Sequence, residues 1–249
     1  MAPAVLITGG AKRIGSIMAR RFAAAGWHVV IHYGTSRVDA DLLAAQLPSA
    51  ETVSCNLADT DAAAAMVEEL AARLNDWRVL INCAAVFRAD SAAAVDTSVF
   101  AEAVTVNALT PTRMAQTFLA CARAKGGKRV IDLLDQKLLN PNPDFFSYTM
   151  AKHAFAATVK MLAMAADNPA DRIYGLAPGA MLPSFDQVDD EHQISGRMNL
   201  LERLTDPAEL AEAALFLSQG WLASGETVFV DSGQHMLSQA RDVLYLARA

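Results

Sequence analysis

The chain has 249 residues, of which 53% are hydrophobic and 19% charged, and its formal net charge is -6. Such a chain can bury a substantial core, and the acidic balance argues against a nucleic-acid surface, since its basic residues are scattered except at Lys12-Arg13 and Arg20-Arg21. No apolar run approaches the ~18 residues of a membrane span, the first strand leaves no room for a signal peptide, and Cys55, Cys83 and Cys121 lie at no metal-ligand spacing, so a cytoplasmic protein with free thiols and no bound metal is expected.

The first strand candidate is AVLIT (4 to 8), which runs into the turn TGGAKRIG (8 to 15) and a helical pattern from Ile14 to Ala25 that Gly26 can stop. HVVIHY (28 to 33) is the second strand, followed by helical period over Val38 to Leu47, and ETVSC (51 to 55) is the third, followed by Asp61 to Leu74. RVLINCA (78 to 84) precedes one long helical stretch, Ser98 to Lys125, and RVIDLLD (129 to 135) precedes another, Phe146 to Ala166. RIYGLAP (172 to 178), a helix opening at Asp206-Pro207 and running to Gln219, and TVFVD (227 to 231) complete the series. Strands alternating with helices require crossover connections of one hand, and near-continuous Val/Ile/Leu runs suit strands covered on both faces. The expected architecture is α/β: a single-domain doubly wound Rossmann fold over residues 1 to 249, with a seven-stranded parallel sheet and a ligand crevice at the carboxyl ends of its strands. Residues 180 to 204 have no strand period and gather Asp186, Asp189, Asp190 and Glu191. A substrate lid is expected there, with a solvated surface loop as the alternative.

Gly9, Gly10 and Gly15 let backbone approach a ligand closely where the first strand meets a helix N-terminus, the place where unpaired N–H groups and the helix dipole favour phosphate. The second strand decides which dinucleotide. An acidic residue at its end would accept hydrogen bonds from ribose hydroxyls and repel a 2'-phosphate, yet here the strand ends His32-Tyr33-Gly34-Thr35-Ser36-Arg37, with no carboxylate until Asp39. Hydroxyls beside an arginine suit a phosphate, so NADPH is the expected cofactor.

In FFSYTMAK, Tyr148 and Lys152 are four residues apart and share one helix face. A phenol shuttles protons poorly at neutral pH until a cation stabilises its phenolate, and Lys152 supplies one beside the expected crevice. Asp135 ends the fifth strand, and a carboxylate near Tyr148 would oppose phenolate formation and keep the phenol protonated.

With these motifs in this order, the chain resembles the short-chain dehydrogenase/reductase family over nearly its whole length: TGGAKRIG, INCAA (81 to 85), Asn107, Tyr148-x-x-x-Lys152, Pro178-Gly179, and Gly225 to Asp231-Ser232-Gly233. The resemblance implies that Tyr148 donates the proton, that Lys152 binds the nicotinamide ribose and tunes the tyrosine, and that Asn107 holds a water in the proton relay. It further implies that NADPH is held by Thr8, Gly9, Lys12, Arg13, Ile14 and Gly15 of the turn, and by His32, Tyr33, Ser36 and Arg37 after the second strand. Asn56 and Leu57, Asn82, and Pro178 with Gly179 complete that set at the ends of the third, fourth and sixth strands.

Two departures carry further information. The family's usual serine, thirteen residues before the tyrosine, is Asp135, and its common loop glycine is Arg13; both are similar to the pteridine reductase and dihydromonapterin reductase subgroup, as is Phe87, which matches the aromatic that sandwiches a pterin against nicotinamide. The implied substrate is a reduced pterin, contacted by Arg13, Phe87, Asp135 and Tyr148, in a homotetramer or homodimer. Ala85 lacks a hydroxyl that the subgroup often has, and Gln136 and Lys137 are expected at the pocket edge. The alternatives are a reductase of small carbonyls or 3-oxoacyl thioesters, and a catalytically silent NADPH-sensing protein. The tail beyond Gly233 is expected either to contact a neighbouring subunit or to cover the active site.

Overall fold

In β1 (Ala4–Ile7), Ala4 and Leu6 enter one apolar layer while Val5 and Ile7 enter the other. Successive side chains of a strand point to opposite faces, so an unbroken apolar run demands cover on both sides. The alternation recurs in β2 (His28–Tyr33), with Val30 opposite Val29 and Ile31. In β4 (Trp77–Asn82), Leu80 likewise lies opposite Val79 and Ile81. With β3 (Ala50–Ser54), β5 (Arg129–Leu133), β6 (Arg172–Pro178) and β7 (Thr227–Val230), this computed structural model contains the expected seven-stranded parallel sheet, in the order β3-β2-β1-β4-β5-β6-β7. The structure describes residues 2–184 and 187–248.

The strand order reverses between β1 and β4, which opens a crevice at their carboxyl ends. Thr8 pins that point: its hydroxyl oxygen accepts the N–H groups of Cys83 at 2.9 Å and Ala84 at 3.0 Å, just beyond β4. On the Val5 face lie α1 (Arg13–Ala24), α2 (Arg37–Gln46) and α8 (Pro207–Ser218), through Met18, Phe22, Leu43 and Leu217. On the Leu6 face lie α3 (Thr60–Arg73), α5 (Thr110–Cys121) and α6 (Phe146–Ala165), through Val67, Leu70, Phe118 and Phe155.

Helix starts follow local chemistry. Asp206 accepts the Ala208 N–H at 2.8 Å and α8 opens with Pro207, as expected; α3 begins at Thr60, one residue before the expected start, because Asp59 accepts the Ala62 N–H at 3.0 Å.

Two expectations are revised. The stretch Ser98 to Lys125 is not one continuous helix: α4 (Thr97–Val104) passes into a π turn, Thr105–Leu109, before α5 begins. Pro111 has no N–H to offer the carbonyl of Asn107, four residues back, and the Thr110 N–H reaches the Thr105 carbonyl, five residues back, so the winding widens here. Within 180 to 204, the acidic run forms a short helix, α7 (Asp189–Ser195), with Asp189, Asp190 and Glu191 in its first turn, where carboxylates favour the positive end of the dipole; Asp186 lies outside the described residues. Beyond β7, a last turn of helix, α9 (Val243–Leu246), is capped by Asp242 accepting the Leu244 N–H at 3.0 Å. Among the described residues, no helix is long and apolar enough to cross a membrane.

Candidate active site

The glycine-rich turn fits a dinucleotide. Gly9 is left-handed, at φ 62°, and a β-carbon there would lie 3.1 Å from Ala84; one on Gly15 would sit 2.2 Å from the Gly9 carbonyl oxygen. Only glycine permits this packing, which brings backbone rather than side chain to the crevice. The N-terminus of α1 has no side-chain cap, leaving its first N–H groups available to an anion. His32 works from beneath: its Nδ1 accepts the Gly9 N–H at 3.2 Å, so Nε2 carries the hydrogen and donates to the Cys55 carbonyl at 3.1 Å. Burial pushes the His32 imidazole down to about 4, which keeps it neutral and able to accept.

At the mouth, Lys12 pairs with Asp39 at 2.9 Å and Arg37 with Asp41 at 3.5 Å, all four exposed enough to exchange partners with a bound phosphate. Asn56 is exposed and accepts the Ala58 N–H at 3.1 Å, while Leu57 is buried. Arg13 has φ 51° and donates from Nη2 to the Pro183 carbonyl at 2.9 Å, joining the turn to the segment after β6.

Deeper in, the Tyr148 hydroxyl donates to Asp135 Oδ2 at 2.7 Å, and Asp135 Oδ1 accepts the Lys137 N–H at 2.9 Å. Both oxygens accept, which is the pattern of a carboxylate. Burial and then the Asp135 charge raise the Tyr148 phenol well above its ordinary range; burial raises the Asp135 carboxyl as well. Lys152 donates to the Leu133 carbonyl, and its Nζ lies 5.7 Å from the centre of the Tyr148 ring; burial lowers its ammonium, and Asp135 is the first of the charges that oppose this. The Phe87 ring meets Tyr148 edge-on at 4.7 Å and stacks on Phe145 at 4.0 Å.

Asn107 sits in the π turn and clasps Val86 in both directions, accepting its N–H and donating to its carbonyl, each at 2.8 Å. Asn82 donates to Asp132 Oδ1 at 2.8 Å and to the Pro111 carbonyl at 3.3 Å. These two asparagines hold the floor of the site rather than its wall. Gly9, Lys12, Arg13, Ile14, Gly15, Phe87, Asp135, Tyr148, Lys152, Pro178 and Gly179 together line one cavity of about 550 Å³, whereas Thr8, His32, Tyr33, Ser36, Arg37, Asn56 and Leu57 lie outside its lining. Gln234, Asp242, Val243 and Leu244 of the tail beyond Gly233 stand in that wall, in line with the expectation that the tail covers the active site, though these residues were not singled out; Phe145 behind Phe87 was missed.

A family model described as enoyl-(acyl carrier protein) reductase, of the short-chain dehydrogenase/reductase group, matches residues 9–235. The chain belongs to the short-chain dehydrogenase/reductase family. This reductase is 28% identical, over 95% of its length and 97% of the relative's, to a Streptomyces violaceoruber protein named as ketoacyl reductase 2 of the granaticin polyketide synthase. It is 26% identical to pteridine reductase 1 of Leishmania tarentolae, over 93% of this chain and 96% of that one. Among solved structures it is similar to FolM alternative dihydrofolate reductase 1 from Brucella canis complexed with NADP, with a TM-score of 0.89, 27% identity and 96% of each chain covered. The short-chain reductase is therefore an NADP-dependent enzyme, and the glycine cradle and uncapped α1 fit that cofactor.

Proposed function

We propose that this reductase reduces a C=N bond of a reduced pterin, with Asp135 and Tyr148 acting as one proton-donating pair. The observation that carries the reading is the 2.7 Å hydrogen bond from Tyr148 to Asp135. A carbonyl reductase needs a neutral hydroxyl to steady an oxygen. A carboxylate here instead keeps the phenol protonated and adds a second site for the proton that a ring nitrogen takes up. NADPH, when bound, supplies the hydride. Gly9, Lys12, Arg13, Ile14 and Gly15 would hold its pyrophosphate side, Ser36 and Arg37 its 2'-phosphate, and Lys152 the ribose next to the reacting ring. Asn82 and Asn107 keep the strand and helix ends in place beneath it, with His32 fixing the turn. Tyr148 holds its proton at Oη, ready for the substrate nitrogen, and the Asp135 carboxylate that accepts this hydrogen keeps it there.

Phe87 supports the choice of a flat ring, since the perpendicular Phe87 and Tyr148 rings form an aromatic corner in the cavity wall. Arg13 offers the substrate edge a planar fork of donors. Ala180, Met181, Leu182, Ser184, Gln187 and Ser195 all face the cavity, which supports 180 to 204 as a lid within one catalytic domain. Met150, Met161 and Met164 are exposed along α6, an apolar face suited to a homodimer or homotetramer in the cytoplasm.

The ketoacyl reductase relative favours a second reading, reduction of 3-oxoacyl thioesters. NADPH oxidation measured against dihydropterins and a matched panel of ketones and 3-oxoacyl thioesters separates the two. Turnover of the thioesters with none of any dihydropterin would replace the first reading by the second.

A further inference from the structure

The chain after β7 folds back on the loop that carries the site. Lys137 Nζ lies 2.7 Å from Asp242 Oδ2, an ion pair whose side chains are only 4% and 11% exposed, and the same ammonium donates to Asn142 Oδ1 at 2.9 Å. Asp144 Oδ2 accepts the Arg241 Nε–H at 2.7 Å and the Asp242 N–H at 2.8 Å. Asn140 and Gln239 exchange two hydrogen bonds, Nδ2–H to Oε1 at 2.8 Å and the Gln239 N–H to Oδ1 at 3.0 Å. These anchors fall on residues 137 to 144, between Asp135 and the helix that bears Tyr148, while Gln239 Nε2 also donates to the Met198 carbonyl at 3.1 Å and Arg248 pairs with Glu191 at 3.0 Å. A surface tail held by exposed charges would gain little from them; a buried, multiply hydrogen-bonded ion pair tolerates only one arrangement.

That arrangement places Val243 and Leu244 in the cavity wall, with Leu244 packed in the same apolar cluster as Phe87, Phe145 and Tyr148. Tyr245 stacks behind Phe145 at 5.9 Å, and Arg241 lies over the Tyr245 ring at 4.9 Å. The tail therefore backs the aromatic corner from its own subunit.

We propose that Gln239 to Leu246 form a fixed wall of this subunit's own substrate pocket, locked by the Lys137–Asp242 pair, and that Leu244 is a specificity-determining residue that admits a flat ring and narrows entry for a chain-like acyl substrate. The flat ring rests on the pterin reading; the wall does not.

Two variants of the full-length enzyme test this, Leu244→Ala and Asp242→Asn, with amide hydrogen exchange and steady-state kinetics using 7,8-dihydrobiopterin and acetoacetyl-CoA. The amides of Asp242 and Leu244, bonded to Asp144 Oδ2 and Asp242 Oδ1, should exchange slowly in the parent enzyme and be released in Asp242→Asn. Leu244→Ala should raise KM for dihydrobiopterin about 10-fold, the scale of one buried leucine contact, with kcat little changed and acetoacetyl-CoA used better than before. Coil-like exchange of those amides in the parent enzyme would overturn the wall whatever the substrate. Slow exchange with KM unmoved for both compounds would overturn the role of Leu244. A parent enzyme that reduces acetoacetyl-CoA but not dihydrobiopterin would remove the pterin reading, and the change of KM for the thioester would still decide for or against the wall.

Discussion

Tyr148 gives its hydroxyl hydrogen to Asp135 across 2.7 Å, and the partner oxygen of that carboxylate is held by the Lys137 N–H. The carboxylate is thereby aimed at the phenol. Replacing Asp135 with serine keeps a hydrogen-bonding group and removes the charge, so dihydropterin reduction should fall on the order of 100-fold, the scale of positioned acid catalysis, while NADPH affinity is retained. The pH profile adds a second readout. An acid donor works only while protonated, and the Asp135 charge is one cause of the raised Tyr148 pKa, so the alkaline loss of kcat/KM should move to lower pH in Asp135→Ser. An unchanged rate and an unchanged alkaline limb would refute the pairing.

Arg37 is proposed to select the cofactor through its charge. It now leans on Asp41 at 3.5 Å, an exposed contact that yields easily to a phosphate. Arg37→Asp should weaken NADPH by about 10- to 100-fold, one charge-assisted hydrogen bond, and leave NADH nearly as it was. The measurement is the ratio of the two dissociation constants by fluorescence titration. A parallel loss for both cofactors would point to damage in the turn rather than to a lost phosphate contact.

Arg13 holds a left-handed backbone that glycine adopts without penalty, and its side chain reaches the Pro183 carbonyl. Arg13→Gly relieves backbone strain of about 1 kcal/mol and removes a hydrogen bond of similar worth, so the denaturation midpoint should barely move. Activity should not be spared: KM for a dihydropterin should rise about 10-fold if the guanidinium meets the substrate. Should KM stay put while NADPH weakens, Arg13 serves the pyrophosphate alone.

Much of this was legible because strands buried on both faces leave continuous apolar runs and covering helices leave a 3.6-residue stripe. The Gly9 to Gly15 turn, the spacing of Tyr148 and Lys152, and Asp135 at the end of β5 are local and could be placed by position in that series. What escaped was non-local or hidden in the pattern. The π turn around Asn107 shifts hydrogen bonds without changing residue type, and its local trace in the sequence is Pro111. The acidic run of α7 looks like a solvated loop unless its charges are seen as a first helical turn. Lys137 and Asp242 are brought together by tertiary folding, and neither one's neighbourhood in sequence announces the other.

Asp132 offers a test of the floor beneath the site. It lies in mid-strand, fully buried, and accepts the Asn82 amide at 2.8 Å, while its own Oδ2 and the Asn82 Oδ1 have no partner among the described residues. Burial pushes its carboxyl up to about 7, against the smaller opposing effects of the Asn82 hydrogen bond and the Lys152 charge. Because the folded-state value lies above the unfolded one, the native state holds the extra proton between about pH 4 and 7, and stability falls as pH rises through that window. Asparagine has the same shape and no charge to bury, and its amide can donate to the Asn82 oxygen. Asp132→Asn should therefore match the parent protein most closely in acid and exceed it increasingly toward pH 8, the gap widening by about 3 kcal/mol between pH 5 and pH 8. Urea midpoints at the two pH values measure this directly; a gap that is constant or that shrinks with pH would mean that Asp132 is ionised in both states.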